Sequence, residues 1–204
     1  MSVPDFLLQG WDLDDGLPSA RINAIAHMPN GYLWLATLNG LARFDGARFV
    51  VFDEKGSPPL ADAGTRSLCV RSNGHLLVGT VRGFLLEGTD GHFETVLGPN
   101  ITHGKPILSL LEDDQKNLWI ATDGAGLIRW RDGAAQYFTR TNGLPGSRIE
   151  QLTATPAGPM YFFCNNQICT VESNICRQVT KPAWIPANVT AITSSQSNGL
   201  WVCH

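Results

Sequence analysis

The sequence predicts an all-β protein, a partial β-propeller of about five blades, each a four-stranded antiparallel sheet. Three observations lead to this fold class: a short phrase that returns five times, a spacing of about 42 residues between its copies, and turn-forming residue pairs between them. Helical repeats would instead show an apolar period of 3.6 residues over a helix length, and no segment shows one.

The repeated phrase is a five-residue apolar segment, often with Trp in second place and Thr at the end. A residue that recurs from unit to unit is most simply part of the scaffold. Trp34, Trp119 and Trp201 are therefore predicted to lie in the core between blades rather than to form sugar-stacking platforms. The copies are at 33–37, 76–80, 118–122, 160–164 and 200–204.

The first unit shows the blade most plainly, because turn signals separate its four apolar runs. Asn39-Gly40 and Asp45-Gly46 supply the positive φ angles that tight hairpins need, so the unit is predicted to be an antiparallel meander. The same pattern places the blades at about 20–53, 65–97, 106–139, 148–180 and, in part, 189–204.

Residues 6–19 resemble residues 137–147, which comprise a fourth strand and the linker after it, so 6–13 is predicted to be a fourth strand, although no blade precedes it. We expect this leading strand to join the last blade and close the ring. Since the sequence stops inside the fifth blade, we expect residues 1–204 to be one domain truncated at its C-terminus. A self-contained five-blade ring is the alternative.

Composition narrows the function classes. A formal net charge of -3, with scattered Lys and Arg, gives no electrostatic footprint for DNA or RNA. No apolar run is long enough to span a membrane, and the first residues do not resemble a signal peptide. The sequence alone therefore leaves the cellular compartment open.

The five cysteines follow no metal-binding pattern. Cys164 and Cys169 flank a predicted hairpin turn, and Cys176 follows in the next strand. A disulfide could form in that hairpin, but small buried hydrophobic side chains are the favoured interpretation.

No motif for catalysis, for a metal or for a cofactor is found, so no catalytic residue, metal ligand or cofactor is predicted. Two pairs of adjacent carboxylates, Asp14-Asp15 and Asp113-Asp114, could suggest acid-base chemistry. Adjacent strand residues point to opposite faces, so neither pair can address one substrate bond together, and a role in turns is favoured.

Two stretches carry a family resemblance. Residues 30–46 and 116–133 share Leu-Trp, an aliphatic residue, Ala-Thr, a variable turn, Gly-Leu and a later Asp-Gly. Together with Gly-Leu-Pro at 16–18 and 143–145, this pattern resembles the two-component regulator propeller repeat. The second blade departs from it at Leu77, and the fourth has Phe163-Cys164-Asn165-Asn166-Gln167 where Ala-Thr and Gly-Leu would stand.

The resemblance implies a sensor module, often of seven blades, on the periplasmic side of bacterial receptors. The outputs in such receptors are histidine kinase, response-regulator or diguanylate cyclase domains, and some members respond to oligosaccharides. A downstream signalling domain beyond residue 204 and a receptor homodimer would be its partners.

The turns after the second strands are the predicted ligand-binding surface, since they occupy matched positions but differ in chemistry. They place Asn39, Arg82, Asp123 and Asn165 on one face of the ring, where these side chains could bind an oligosaccharide or another small polar ligand. The alternative is that they are ordinary turn residues. Trp11 and Trp130 are weaker candidates for stacking against a ligand.

These observations predict a non-enzymatic, ligand-sensing propeller of a bacterial two-component or diguanylate-cyclase receptor. A propeller enzyme acting on polysaccharide, a lyase or a glycosidase, is one alternative. A protein-protein interaction scaffold is the other.

Overall fold

The computed structural model describes residues 9–52, 60, 64–155, 158–180, 191–194 and 200–203. Eighteen strands make up almost all of its regular structure. The first two blades comprise β1 (Ile22–His27), β2 (Leu33–Thr37), β3 (Gly40–Phe44), β4 (Phe49–Phe52), β5 (Thr65–Val70), β6 (Leu76–Thr80), β7 (Leu85–Thr89) and β8 (His92–Leu97). The next two comprise β9 (Ile107–Glu112), β10 (Leu118–Thr122), β11 (Leu127–Arg131), β12 (Ala134–Phe138), β13 (Ile149–Ala154), β14 (Met160–Cys164), β15 (Gln167–Glu172) and β16 (Ile175–Gln178), and β17 (Ala191–Ser194) pairs with β18 (Leu200–Cys203).

Each four-stranded sheet is an antiparallel meander in chain order, from β1-β2-β3-β4 to β13-β14-β15-β16. This arrangement confirms the predicted all-β fold of four-stranded blades. The predicted leading strand at 6–13 lies partly outside the described residues. Its described residues 9–12 belong to no strand, and residue 13 begins a turn that spans 13–16.

The first strand of each blade lies beside the first strand of the next blade. Side chains on these inner strands hydrogen-bond across the gap: the Asn23 amide donates to the Thr65 carbonyl at 2.9 Å, and the Ser67 hydroxyl donates to the Ile107 carbonyl at 2.9 Å. Farther along, Ser109 Oγ accepts from the Leu152 backbone N–H at 3.1 Å. Hydrogen bonds from polar side chains therefore connect the inner strands of successive blades.

The hydrophobic core lies between successive blades rather than within one sheet. Trp34 is 2% exposed and packs with Leu76 and Phe93 of the second blade. Trp119 is 5% exposed and packs with Phe162 of the fourth. The prediction that these two Trp residues are inter-blade core is thus confirmed, while the side chain of Trp201 lies outside the described residues.

The Thr at the end of the repeated phrase holds the turn that follows it. Thr37 Oγ1 donates to the Gly40 carbonyl and Thr122 Oγ1 donates to the Gly126 carbonyl, each at 2.8 Å. Gly126 has φ +81°, and a Cβ there would lie 2.4 Å from the Phe138 carbonyl oxygen. The repeated Thr and the Gly of Gly-Leu are therefore structural.

The three cysteines of the fourth blade are free thiols buried in the core shared with the third blade. Cys164, Cys169 and Cys176 lie on the neighbouring strands β14, β15 and β16. Burial raises the pKa of Cys169 to about 12 and that of Cys176 to about 11, and a nearby thiol acts in the same direction. The favoured interpretation, small buried side chains, is confirmed for these three.

We expect Cys169 and Cys176 to resist alkylation in the folded chain, because the reactive thiolate is scarce and access is blocked. Labelling with iodoacetamide at pH 8, mapped by peptide mass spectrometry, is expected to be at least ~100-fold slower at both sites than in guanidinium chloride. Equal rates in the folded and the unfolded chain would contradict the burial described here.

No helix among the described residues has the length and apolar character needed to cross a membrane.

Candidate ligand-binding site

One end of the propeller gathers the turns after the second strands and the segments that link one blade to the next; we call it the loop face. Asn39 Nδ2 donates to the carbonyl of Pro18, in the segment before β1, at 3.2 Å. In the third blade, the backbone N–H of Gly124 donates to the carbonyl of Ser147, in the segment before β13, at 3.0 Å. Turns and linkers thus form one continuous surface.

The four residues predicted to bind a ligand lie on this face, each in a different blade. Asn39, Arg82 and Asn165 are exposed, and Asp123 is half-buried. Asn165 and Asn166 have φ of 51° and 61°, so they form the two-residue hairpin turn that replaces the Gly-containing turns of other blades. Turn geometry therefore accounts for Asn165, and a ligand-binding role for the four stays a prediction.

Asp123 links the loop face to the inner strand of the next blade. Its Oδ2 accepts a hydrogen bond from Nη1 of Arg148 at 2.5 Å, and the backbones of the two residues form an isolated antiparallel bridge. Arg148 stands directly before β13, an inner strand, and its Nε lies 3.5 Å from Glu150 Oε1. The turn of one blade is thus bound to the first strand of the next.

A polar cavity of about 450 Å³ opens where the inner strands begin. We call it the channel mouth. It receives side chains from all four complete blades, and none of the four predicted residues lines it. Its lining residues are Arg21, Ile22, Asn23, Arg66, Leu108, Arg148 and Glu150.

The cations of the channel mouth differ in how they are neutralised. Arg148 is paired with Asp123 and Glu150. In the described part of the chain, neither Arg21 nor Arg66 has a carboxylate partner, and the only hydrogen bond of the Arg66 side chain is a long one to Asn23 Oδ1 at 3.4 Å. The mouth therefore holds two guanidinium groups with spare hydrogen-bonding capacity.

Sequence reasoning missed the channel mouth, although a signal for it exists. Residues 23, 66, 108 and 150 follow the repeat interval and are Asn, Arg, Leu and Glu. They occupy equivalent positions near the start of β1, β5, β9 and β13. These four residues differ in chemistry at one matched position, and all four line the channel mouth. The turns after the second strands also differ in chemistry, but their predicted residues do not line it.

The paired carboxylates serve turns, as the sequence indicates. Asp15 Oδ2 accepts from the Asp12 backbone N–H at 2.9 Å. Asp113 Oδ1 accepts from the backbone N–H groups of Gln115 at 2.9 Å and of Asn117 at 2.8 Å. Among the described residues, no group of three or more His, Cys, Asp or Glu side chains is arranged to hold a metal ion.

Trp11 and Trp130, the weaker stacking candidates, both contact other side chains. Trp11 is 38% exposed and meets Phe44 edge to face, with 4.9 Å between ring centroids. Trp130 packs partly buried against the core between the second and third blades.

Comparisons with solved structures support the propeller fold. The chain is 19% identical to virginiamycin B lyase of Staphylococcus aureus, with a TM-score of 0.67, over 87% of this chain and 61% of the lyase. It is 17% identical to the extracellular domain of a protein described as a hybrid two component system of B. thetaiotaomicron, with a TM-score of 0.70, over 91% of this chain and 26% of that one. An ancestral GH74 enzyme is 12% identical, with a TM-score of 0.65, over 90% of this chain and 28% of the enzyme.

At these identities the similarity shows the fold alone, and it includes both sensor domains and enzymes. The chain spans less than two thirds of the length of each of these three proteins. A search of curated protein sequences found no match.

The family model described as "Two component regulator propeller" matches residues 102–124, which include the two inner strands of the third blade, β9 and β10. This match confirms the resemblance seen in the Leu-Trp-Ile-Ala-Thr phrase. The chain is a β-propeller whose third blade matches the family model of the two component regulator propeller.

Proposed function

We propose that the chain is a ligand-sensing propeller of a bacterial two-component or diguanylate-cyclase receptor, and that it binds a small polar ligand, such as an oligosaccharide, at the channel mouth. The observation that carries the proposal is the mouth itself, a polar cavity of about 450 Å³ at one end of the ring. The family match at 102–124 and the similarity to an extracellular domain of a two component system support a sensor role. We accordingly place the module in the periplasm.

The mouth is suited to sensing because its lining comes from separate blades. Asn23 belongs to the first blade, Arg66 to the second and Arg148 to the fourth. A ligand that contacts all three restrains the blades relative to one another, and it favours the ring geometry to which it binds best. A signalling domain beyond residue 204, or the second subunit of a homodimer, would read that change.

Binding without catalysis fits the chemistry of the mouth better than a lyase or glycosidase does. Its two nearby carboxylates, Asp123 and Glu150, both lie beside the guanidinium of Arg148. Each of these carboxylates is therefore engaged in an ion pair, and neither is a free carboxylate facing the cavity. The enzyme alternative would need another acid at the mouth, and the scaffold alternative would need an apolar surface there.

The test is ligand-observed NMR of the full chain with a panel of neutral and acidic di- to hexasaccharides. We expect saturation transfer to at least one saccharide, and recovery of that saccharide intact after prolonged incubation. Arg148→Gln is expected to weaken the interaction about tenfold, because it removes charged contacts from the mouth.

Arg177→Gln is the matched control, since it removes an equal charge from the exposed outer strand β16. Release of new reducing or unsaturated ends would favour the enzyme. A panel without any bound saccharide would remove support for the sensor and leave the scaffold interpretation.

A further inference from the structure

We infer that the channel mouth recognises a small hydroxylated ligand through one singly charged oxyanion group, the carboxylate of a sugar acid or the sulfate ester of a sugar. This inference rests on the proposed function and adds the chemical class of the ligand. It starts from the two guanidinium groups of the mouth that have no carboxylate partner among the described residues, Arg21 and Arg66.

Arg21 stands immediately before β1, and the only hydrogen bond described for it is the one that its backbone N–H donates to Ser19 Oγ at 3.1 Å. The residue is exposed and lines the cavity. Arg66 lies one blade away on β5 and is half-buried. Two guanidinium groups on different blades, both lining one cavity, can donate several N–H bonds to an oxyanion.

Glu150 and Asn23 limit how much negative charge the mouth accepts. Glu150 is exposed within the same cavity and repels a second anionic group, although Arg148 partly offsets its charge. The amide of Asn23 donates to Thr65, which leaves its carbonyl oxygen to accept from a hydroxyl or from Arg66. A ligand with one anionic group and several hydroxyls therefore matches the donors, the acceptor and the carboxylate of the mouth better than a multiply charged phosphate does.

The volume of the cavity also suits a ligand the size of one sugar. A cavity of about 450 Å³ lies within the usual range for small-molecule sites. The aliphatic side chains of Ile22 and Leu108 line part of the cavity, so one face of a sugar ring has apolar surface to contact.

The experiment is isothermal titration of the full chain with D-galacturonate, galactose 6-sulfate and galactose. These probes share a ring and differ in the charged group. We expect the two anions to bind at least ~10-fold more tightly than galactose, and to weaken as ionic strength rises. Arg21→Gln and Arg66→Gln should each weaken anion binding about tenfold, while Glu150→Gln should tighten it about threefold by removing the like charge.

Arg177→Gln, on the outer strand, is again the control and should change affinity less than about twofold. Preference for galacturonate would identify a sugar acid as the ligand class, and preference for galactose 6-sulfate a sugar sulfate. The inference is overturned if galactose binds as tightly as the anions, or if the Arg21 and Arg66 variants behave like Arg177→Gln. Binding of neutral saccharides with no preference for charge would overturn it while leaving the sensor function standing.

Discussion

Replacing Asp113 by alanine is expected to lower the free energy of unfolding by about 3 kcal/mol, because one carboxylate satisfies four donors of the third blade. Oδ1 accepts from the backbone N–H groups of Gln115 and Asn117. Oδ2 accepts from Asn117 Nδ2 at 2.8 Å and from Trp119 Nε1 at 2.7 Å. The loss is large since Asn117 is 6% exposed and Trp119 is 5% exposed, which leaves their donors little access to water.

The measurement is urea unfolding followed by tryptophan fluorescence. Asp114→Ala is the matched control, because Asp114 is the neighbouring acid but is exposed. It is expected to change stability by no more than about 0.5 kcal/mol. Asp113→Asn should lie between the two, as its amide keeps one acceptor. Equal effects of Asp113→Ala and Asp114→Ala would show that the hydrogen bonds to Trp119 and Asn117 contribute little.

The role of Asp113 shows how far sequence reasoning reaches. The turn between β9 and β10 was predictable from Asp113-Asp114 and from the Trp phrase that follows. The bond to Trp119 was not, because it depends on how the indole ring turns between two blades. At the positions six residues before the second residue of each phrase, the other complete blades have Met28, Arg71 and Thr155, so this carboxylate does not recur.

The fold followed from the repeat interval because every blade buries the same apolar second strand between its neighbours. The channel mouth could not be predicted in the same way, because its lining residues are not part of a repeated sequence phrase. They come together only when positions about 42 residues apart are arranged around the propeller axis. The sequence points to Asn39 and Asn165 because they occupy matched turns that differ in chemistry, and the turns themselves account for much of their presence because Asn tolerates turn geometry.

In the second blade Leu77 stands where the repeat pattern has Trp, and the sequence alone does not show what replaces the contacts of that Trp. In the first and third blades an Arg of the third strand lies over the repeated Trp: Arg43 is 5.9 Å from the Trp34 ring centroid and Arg129 is 5.5 Å from that of Trp119. In the second blade Leu77 replaces Trp, and its cross-strand partner is Glu87. Glu87 accepts hydrogen bonds from Arg71 at 3.0 Å and 3.1 Å, so an ion pair replaces the cation-π contact.

That ion pair continues into the third blade through Glu112, whose replacement by alanine is expected to cost about 2–3 kcal/mol at pH 7. Glu112 has a side chain 7% exposed. Its Oε1 accepts from Arg71 Nη2 at 2.8 Å, and its Oε2 accepts from the Ser72 backbone N–H at 2.8 Å. The expected loss of stability is smaller than for a buried charge left without any partner, because Arg71 keeps its hydrogen bonds to Glu87.

The effect is expected to depend on pH. Burial raises the pKa of Glu112, but hydrogen bonds from Ser72 and Arg71 together with the Arg71 charge outweigh it, so the pKa lies below the ordinary value of 4.5. A carboxyl group whose pKa is lower in the folded chain binds its proton more readily in the unfolded chain. Its contribution is therefore fully present above about pH 4.5 and is lost as the pH falls through the lowered pKa.

Urea unfolding at pH 7, 5 and 3.5 measures this contribution as the difference between the wild type and Glu112→Ala. Glu172→Ala is the control, because its ion pair with Arg177 has both side chains 61% exposed. It should cost no more than about 0.5 kcal/mol at any of these pH values. A difference between wild type and Glu112→Ala that stays constant down to pH 3.5 would mean that the contact acts through packing of the two blades and not through the charge of Glu112.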